Sequence, residues 1–187
     1  MNAPDRPGDF PARHRLTIPD VLKMQEAGIL GPDHGCELID GELLEMPSEG
    51  ERHARLKLRL IRFFNRALGD DVDVGPDTTL WLADDQGPEP DLFLFPSTLG
   101  PAAVRGQDTL LVVEIADTSL RYDLGEKADL YRRFGVREYW VIDADASVIH
   151  VDLLDAGGQW AKRAPVGFDT AVTLSLLPVS VRLADLI

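Results

Sequence analysis

The run Leu110–Ala116, LLVVEIA, constrains the fold more than any other stretch of the chain. Side chains alternate across a strand, so Leu110, Val112, Glu114 and Ala116 share one face, and Leu111, Val113 and Ile115 share the other. A strand apolar on both faces belongs in the middle of a sheet that is covered on both sides. The covering helices can be read from helical periodicity. Residues 50–68 gather Leu56, Leu60, Phe63, Phe64 and Ala67 on one stripe, and residues 121–134 gather Leu124, Ala128, Leu130, Tyr131 and Phe134. Further strands are expected at 71–74, 78–83, 91–95, 138–143 and 147–154. Upstream, Thr17 caps a short helix that stops at Gly28, and Asp40-Gly41 marks a tight hairpin. The expectation is an α/β (mixed α+β) domain: a mixed central sheet flanked by helices, with an N-terminal helix and β-hairpin.

A chain of 187 residues is one domain's worth. We place the domain at 16–187 and treat residues 1–15, rich in Pro, Asp and Arg, as a flexible tail. The single cysteine, Cys36, excludes an internal disulfide and a cysteine zinc cluster. The N-terminus lacks the apolar core of a secretory signal, and the apolar runs are too short to span a bilayer. A cytoplasmic protein is expected. The net charge of −13 argues against a protein that coats nucleic acid generally, but leaves a local basic surface open.

The informative residues are charges on faces that should be apolar. Glu114 lies near the end of the buried strand, where a carboxylate needs a partner or a metal ion. Lys127 falls in the middle of the apolar arc of helix 121–134, with Asp123 near the edge of that arc. Either its stem packs while the ammonium reaches water, or it meets a buried carboxylate. Asp91 opens the strand DLFLF after Pro88-Glu89-Pro90. Together these give an Asp at the start of one strand, a Glu at the end of the next, and a Lys from the following helix. Two carboxylates can hold a hard divalent cation, and a nearby lysine can stabilise phosphate oxygens or help activate water. That set suits metal-assisted phosphodiester hydrolysis. His53 falls on the buried stripe of helix 50–68, as a core hydrogen-bonding residue or an accessory site residue. Arg52, Arg55, Arg59, Arg62 and Arg66 line the outer arc of the same helix, with no acidic residue between Arg52 and Leu68. They read as a solvated or dimer-contact face, or as a track for the DNA phosphate backbone.

The segment LVVEIADTSLRYDLGEKADLYRRFGVREYWVID resembles the Uma-two family of restriction-endonuclease-like proteins, within the PD-(D/E)XK nuclease superfamily. Supporting segments are LTIPDVLKMQEAGIL, CELIDGELLEMPSEGERH and PEPDLFLF, in the same order, so the likeness runs from about Leu16 to Asp143. It implies a restriction-endonuclease-like core of helix, three strands, helix and strand. It also implies an Mg²⁺- or Mn²⁺-dependent endonuclease acting on DNA. By position, Asp91 and Glu114 become the catalytic, metal-binding acids, and Lys127 the catalytic lysine. The superfamily pattern places the lysine two residues after the acid, but this chain has Ala116 there, so the helix must supply it. Glu37 and His53 match recurring family positions and are carried as accessory residues; Glu37 could bind metal or water, or serve the hairpin. A homodimer addressing two strands is implied in the same way. The alternatives are a catalytically inactive module on the nuclease fold, or a structural homodimer with a buried Glu–Lys pair.

Overall fold

The computed structural model describes residues 14–31, 35–46, 48–162 and 164–187. The expected tail therefore lies outside the described residues except for His14 and Arg15. Thr17 caps α1, Ile18–Glu26, and exchanges hydrogen bonds with Asp20 across the first turn. Gly28, at φ +70°, ends that helix. Strands β1, Cys36–Ile39, and β2, Glu42–Glu45, pair antiparallel around Asp40 and Gly41. Both turn residues have positive φ, 50° and 72°, which a two-residue hairpin turn of this hand requires.

The main sheet is built from β3, Val72–Pro76; β4, Leu92–Pro96; β5, Leu111–Ala116; β6, Glu138–Asp143; β7, Val148–Leu154; and β8, Trp160–Lys162, in that spatial order. β9, Val166–Gly167, pairs with β7, and β10, Val172–Thr173, and β11, Ser180–Val181, form a small separate pair. Among the described residues, only β5 and β6 run parallel. A parallel pair needs a crossover, and here it is helical. It comprises α3, Leu120–Tyr122; a π-helical turn, Asp123–Lys127; and α4, Ala128–Arg133.

β5 is central and buried at all six positions, as its two apolar faces require. Leu92, Leu94, Leu111, Val113 and Ile115 pack on one side against Leu56, Leu60 and Phe64 of α2, Glu51–Ala67. Phe93, Phe95, Val112 and Tyr139 pack on the other side with Leu130 and Tyr131 of α4. Three expectations need correction. Residues 78–83 are not a strand: Leu80 and Leu82 are buried, but their N–H groups donate within a tight loop, to Pro88 and Gln86 carbonyls. Helix 121–134 is interrupted by the π turn. Ala67 is exposed, and the stripe on α2 instead includes the buried Lys57. Among the described residues, no helix is long and apolar enough to cross a membrane.

Leu60 has no exposed surface and fastens α2 to the sheet. Leu60→Ala is expected to cost about 2–5 kcal/mol through lost burial and the cavity left behind. Urea unfolding of the variant checks this, with an unchanged midpoint as the contrary result.

Candidate active site

The site grows from one end of the sheet. β4 and β5 pair antiparallel with Leu92 opposite Val113, so the next step of the ladder sets Asp91 opposite Glu114. β3 pairs with β4 with Pro76 opposite Leu92, so the following step sets Asp77 beside Asp91; the Asp77 N–H donates to the Asp91 carbonyl at 3.4 Å. Three carboxylates thus form a row across the end of three adjacent strands. Like charges directly opposite one another destabilise a ladder, so such a row needs cations.

Each helix supplies one. From α2, Lys57 donates to Asp77 Oδ1 at 2.7 Å and to Glu49, and lies 3.8 Å from Asp91 Oδ1. From the π turn, Lys127 donates to Glu37 Oε1 at 2.7 Å and pairs with Glu114 Oε1 at 2.9 Å. Lys127 is 2% exposed and Glu37 1%, so the ammonium does not reach water and the snorkelling alternative is excluded. The hairpin delivers Glu37, whose Oε1 also accepts the Glu89 N–H at 2.9 Å. Tyr131 of α4 donates to Glu114 Oε1 at 2.8 Å.

His53 sits on the first full turn of α2, and its Nε2 lies 2.6 Å from Asp91 Oδ1. The other oxygen of Asp91 accepts the Ile115 N–H at 2.6 Å, which ties Asp91 to the residue after Glu114. Burial disfavours the imidazolium of His53, but the hydrogen bond and charge of Asp91, with help from Glu49, outweigh it and raise the pKa. Burial also raises Glu114 well above the ordinary carboxylate value; Lys127 opposes this, while Asp91, Asp123 and Glu37 add to it. Burial disfavours the Lys127 ammonium too, yet Glu114 and Glu37 prevail and lift its pKa. The ammonium is therefore retained beside a carboxyl group that holds its proton more tightly than an ordinary one.

The donor set fits a divalent cation. Ligand atoms of Glu49, His53 and Asp91 all lie within 4.8 Å of one another. Two carboxylates and an imidazole suit a transition-metal ion such as Mn²⁺ somewhat better than Mg²⁺, which favours all-oxygen ligands. The expected pair Asp91 and Glu114 shares Asp91 with this set, whereas Glu114 Oε1 is already held by Lys127 and Tyr131. Sequence reasoning missed Glu49, Lys57, Asp77 and Tyr131 as site residues. Lys57 had a legible signal, because it falls one helical turn after His53, between Leu56 and Leu60. Asp77 had none, since its place comes from the β3–β4 register.

The arginine row starts beside the site and leads away from it. Arg52 pairs with Asp145 at 3.1 Å, and Arg55 with Glu51. Arg59 donates to the Leu186 carbonyl. Arg59, Arg62 and Arg66 surround an open groove of about 500 Å³ floored by Phe63, Ala67 and Leu186.

This fold, a mixed sheet with one helical crossover, is shared with solved structures. One of these, from Anabaena variabilis ATCC 29413, is described as "a putative nuclease belonging to DUF820". It superposes with a TM-score of 0.68 at 15% identity, covering 92% of this chain and 99% of that one. The family is shown by the sequence itself: residues 18–184 match Uma2, described as "Putative restriction endonuclease", and the chain belongs to that family. No curated protein matches the chain.

The raised pKa values set a pH dependence. Glu114 and His53 hold protons more tightly folded than unfolded, so the native state binds more protons over the range where they titrate. Their stabilisation is full below the ordinary carboxylate value of 4.5 and is lost as pH rises through the raised values. With a chelator present, the melting temperature should fall from about pH 4.5 to about pH 8, and Mn²⁺ should flatten the decline. Melts that rise with pH in the chelator would contradict this account.

Proposed function

We propose that the protein is a divalent-metal-dependent endonuclease that hydrolyses DNA phosphodiester bonds at the Asp91–Glu114–Lys127 centre. The observation that carries the reading is the meeting of two carboxylates, a lysine and an imidazole at one sheet end, in a chain of the Uma2 family. Asp91 and Glu114 hold the metal, with His53 and Glu49 completing the donor set. When bound, Mg²⁺ or Mn²⁺ stabilises negative charge on the reacting phosphate. Lys127 holds Glu37 and Glu114 in place and adds a fixed positive charge beside them. Tyr131 orients Glu114, and His53 orients Asp91. Arg52, Arg55, Arg59 and Arg62 contact the DNA backbone, which offsets locally the repulsion expected from a net charge of −13. Cutting both strands calls for two such centres, so a homodimer is part of the reading.

One observation favours a second reading, a nuclease-fold module that binds without cutting. Lys127, Glu37 and Glu114 are all at least 95% enclosed, so a substrate must gain access to reach them. Plasmid cleavage separates the two. The wild type should nick or cut DNA with Mg²⁺ or Mn²⁺ and stop with a chelator. Glu114→Gln keeps the side chain's size and removes its charge, and should lower the rate by at least about 100-fold while leaving the fold intact. A wild type that cuts neither duplex nor single-stranded DNA in either ion would sink the nuclease reading in favour of the second.

A further inference from the structure

Among the described residues, two buried side-chain polar atoms have no protein partner within hydrogen-bonding reach: Glu37 Oε2 and Tyr122 Oη. Both belong to the same neighbourhood. Glu37 is fixed through its other oxygen by Lys127 and by the Glu89 N–H. Tyr122 ends α3 and immediately precedes the π turn that carries Asp123 and Lys127. Its ring is half-buried at the surface while its hydroxyl is turned inward. Burial raises the pKa of that phenol, as do Glu37 and Glu114, while Lys127 opposes them. The hydroxyl is therefore a neutral donor. Native proteins leave few buried polar groups unpaired, and those they do leave call for an explanation. π turns, too, are frequent at functional sites.

We propose that Tyr122 Oη and Glu37 Oε2 hold the water that attacks the phosphodiester, with Tyr122 donating to it and Glu37 accepting its proton. The inference rests on the nuclease reading above and adds to it the identity of the groups that handle the nucleophile. One donor and one acceptor match a neutral molecule that both accepts and donates. A cation would meet the O–H and the Lys127 ammonium, and an anion would meet the carboxylate. Asp91 is engaged through both oxygens, by His53 and the Ile115 N–H, and Glu114 through Oε1, by Lys127 and Tyr131. In the step, a bond forms between the water oxygen and phosphorus, and the bond from phosphorus to the leaving ester oxygen breaks. The water's proton passes to Glu37 Oε2, and the displaced alkoxide takes a proton from solvent. Glu37 then returns its proton to solvent, so the balance closes. Lys127 is a positioning residue here, because it aims the free oxygen of Glu37 by holding the other.

The test joins a crystal structure that resolves ordered water with steady-state cleavage by the wild type, Tyr122→Phe and Glu37→Gln. The wild type should show one water within about 2.6–3.2 Å of both atoms. Tyr122→Phe removes a hydroxyl that bonds no protein group, so its melting temperature should change little. Its kcat should drop at least about 10-fold with KM for DNA unchanged, and Glu37→Gln should lose about 100-fold or more. Absence of that water overturns the inference. So does a Tyr122→Phe enzyme that cuts as fast as the wild type, or one that merely melts earlier. If the wild type cuts nothing, the nuclease reading fails and this inference falls with it. If the wild type cuts and Tyr122→Phe is undiminished, the inference fails alone.

Discussion

The row of carboxylates across the sheet end, Asp77, Asp91 and Glu114, is the constraint to which the rest of the site answers. Ladder geometry puts opposite residues about 4.5–5.5 Å apart at Cβ, too close for like charges in a dry setting. Two buried lysines, one from each side of the sheet, meet the row at its two ends. Enclosing Lys127 with Glu37 and Glu114 removes three charges from water, and that desolvation is not generally repaid by mutual attraction alone. A fold selected for stability could fill the same volume with apolar side chains. Stability alone therefore does not account for the charged cluster, in which the acids outnumber the two lysines.

The same constraint explains why the site draws on separate elements from the hairpin to the crossover. Glu37 comes from the hairpin, His53 and Lys57 from α2, Asp91 and Glu114 from neighbouring strands, and Lys127 from the crossover. The two apolar clusters lie on opposite faces of the sheet, and alternate residues of β4 belong to each. Only at the strand ends can groups from both faces meet. Asp91, one residue before β4 begins, is that meeting point: it touches α2 through His53 and the β5 backbone through Ile115.

Most of the fold was legible because its elements are locally consistent. The hairpin has Asp-Gly at positions that need positive φ, β5 is apolar on both faces, and β6 runs from Glu138 to Asp143 as read. Residues 78–83 misled because Leu80 and Leu82 are buried for the sake of packing in a loop whose backbone bonds are local. Glu114 and Lys127 stood out as charges on apolar faces, and Asp91 only in combination with them, as the opening residue of a strand. Glu49 and Asp77 did not, because an acidic residue in a polar loop carries no periodicity to violate; only strand register and the reach of Lys57 bring them in. Tyr122 was hidden for a different reason. Helical spacing at 100° per residue does not allow for a π turn, and an aromatic residue on a helix reads as packing until its hydroxyl is seen to lack a partner.

The net charge of −13 bears on substrate approach less than its size suggests. Exposed charges more than about 8–10 Å apart are screened at physiological ionic strength, so the local surface governs the encounter. The outer arc of α2 is the basic stretch that begins one residue before His53. Its first two arginines are paired with exposed acids, interactions that contribute little to stability. Arg59 is different, being bound to the Leu186 carbonyl near the chain's end. Arg52 and Arg55 are thus held by weak surface pairs, and Arg59, one turn further on, by a backbone carbonyl.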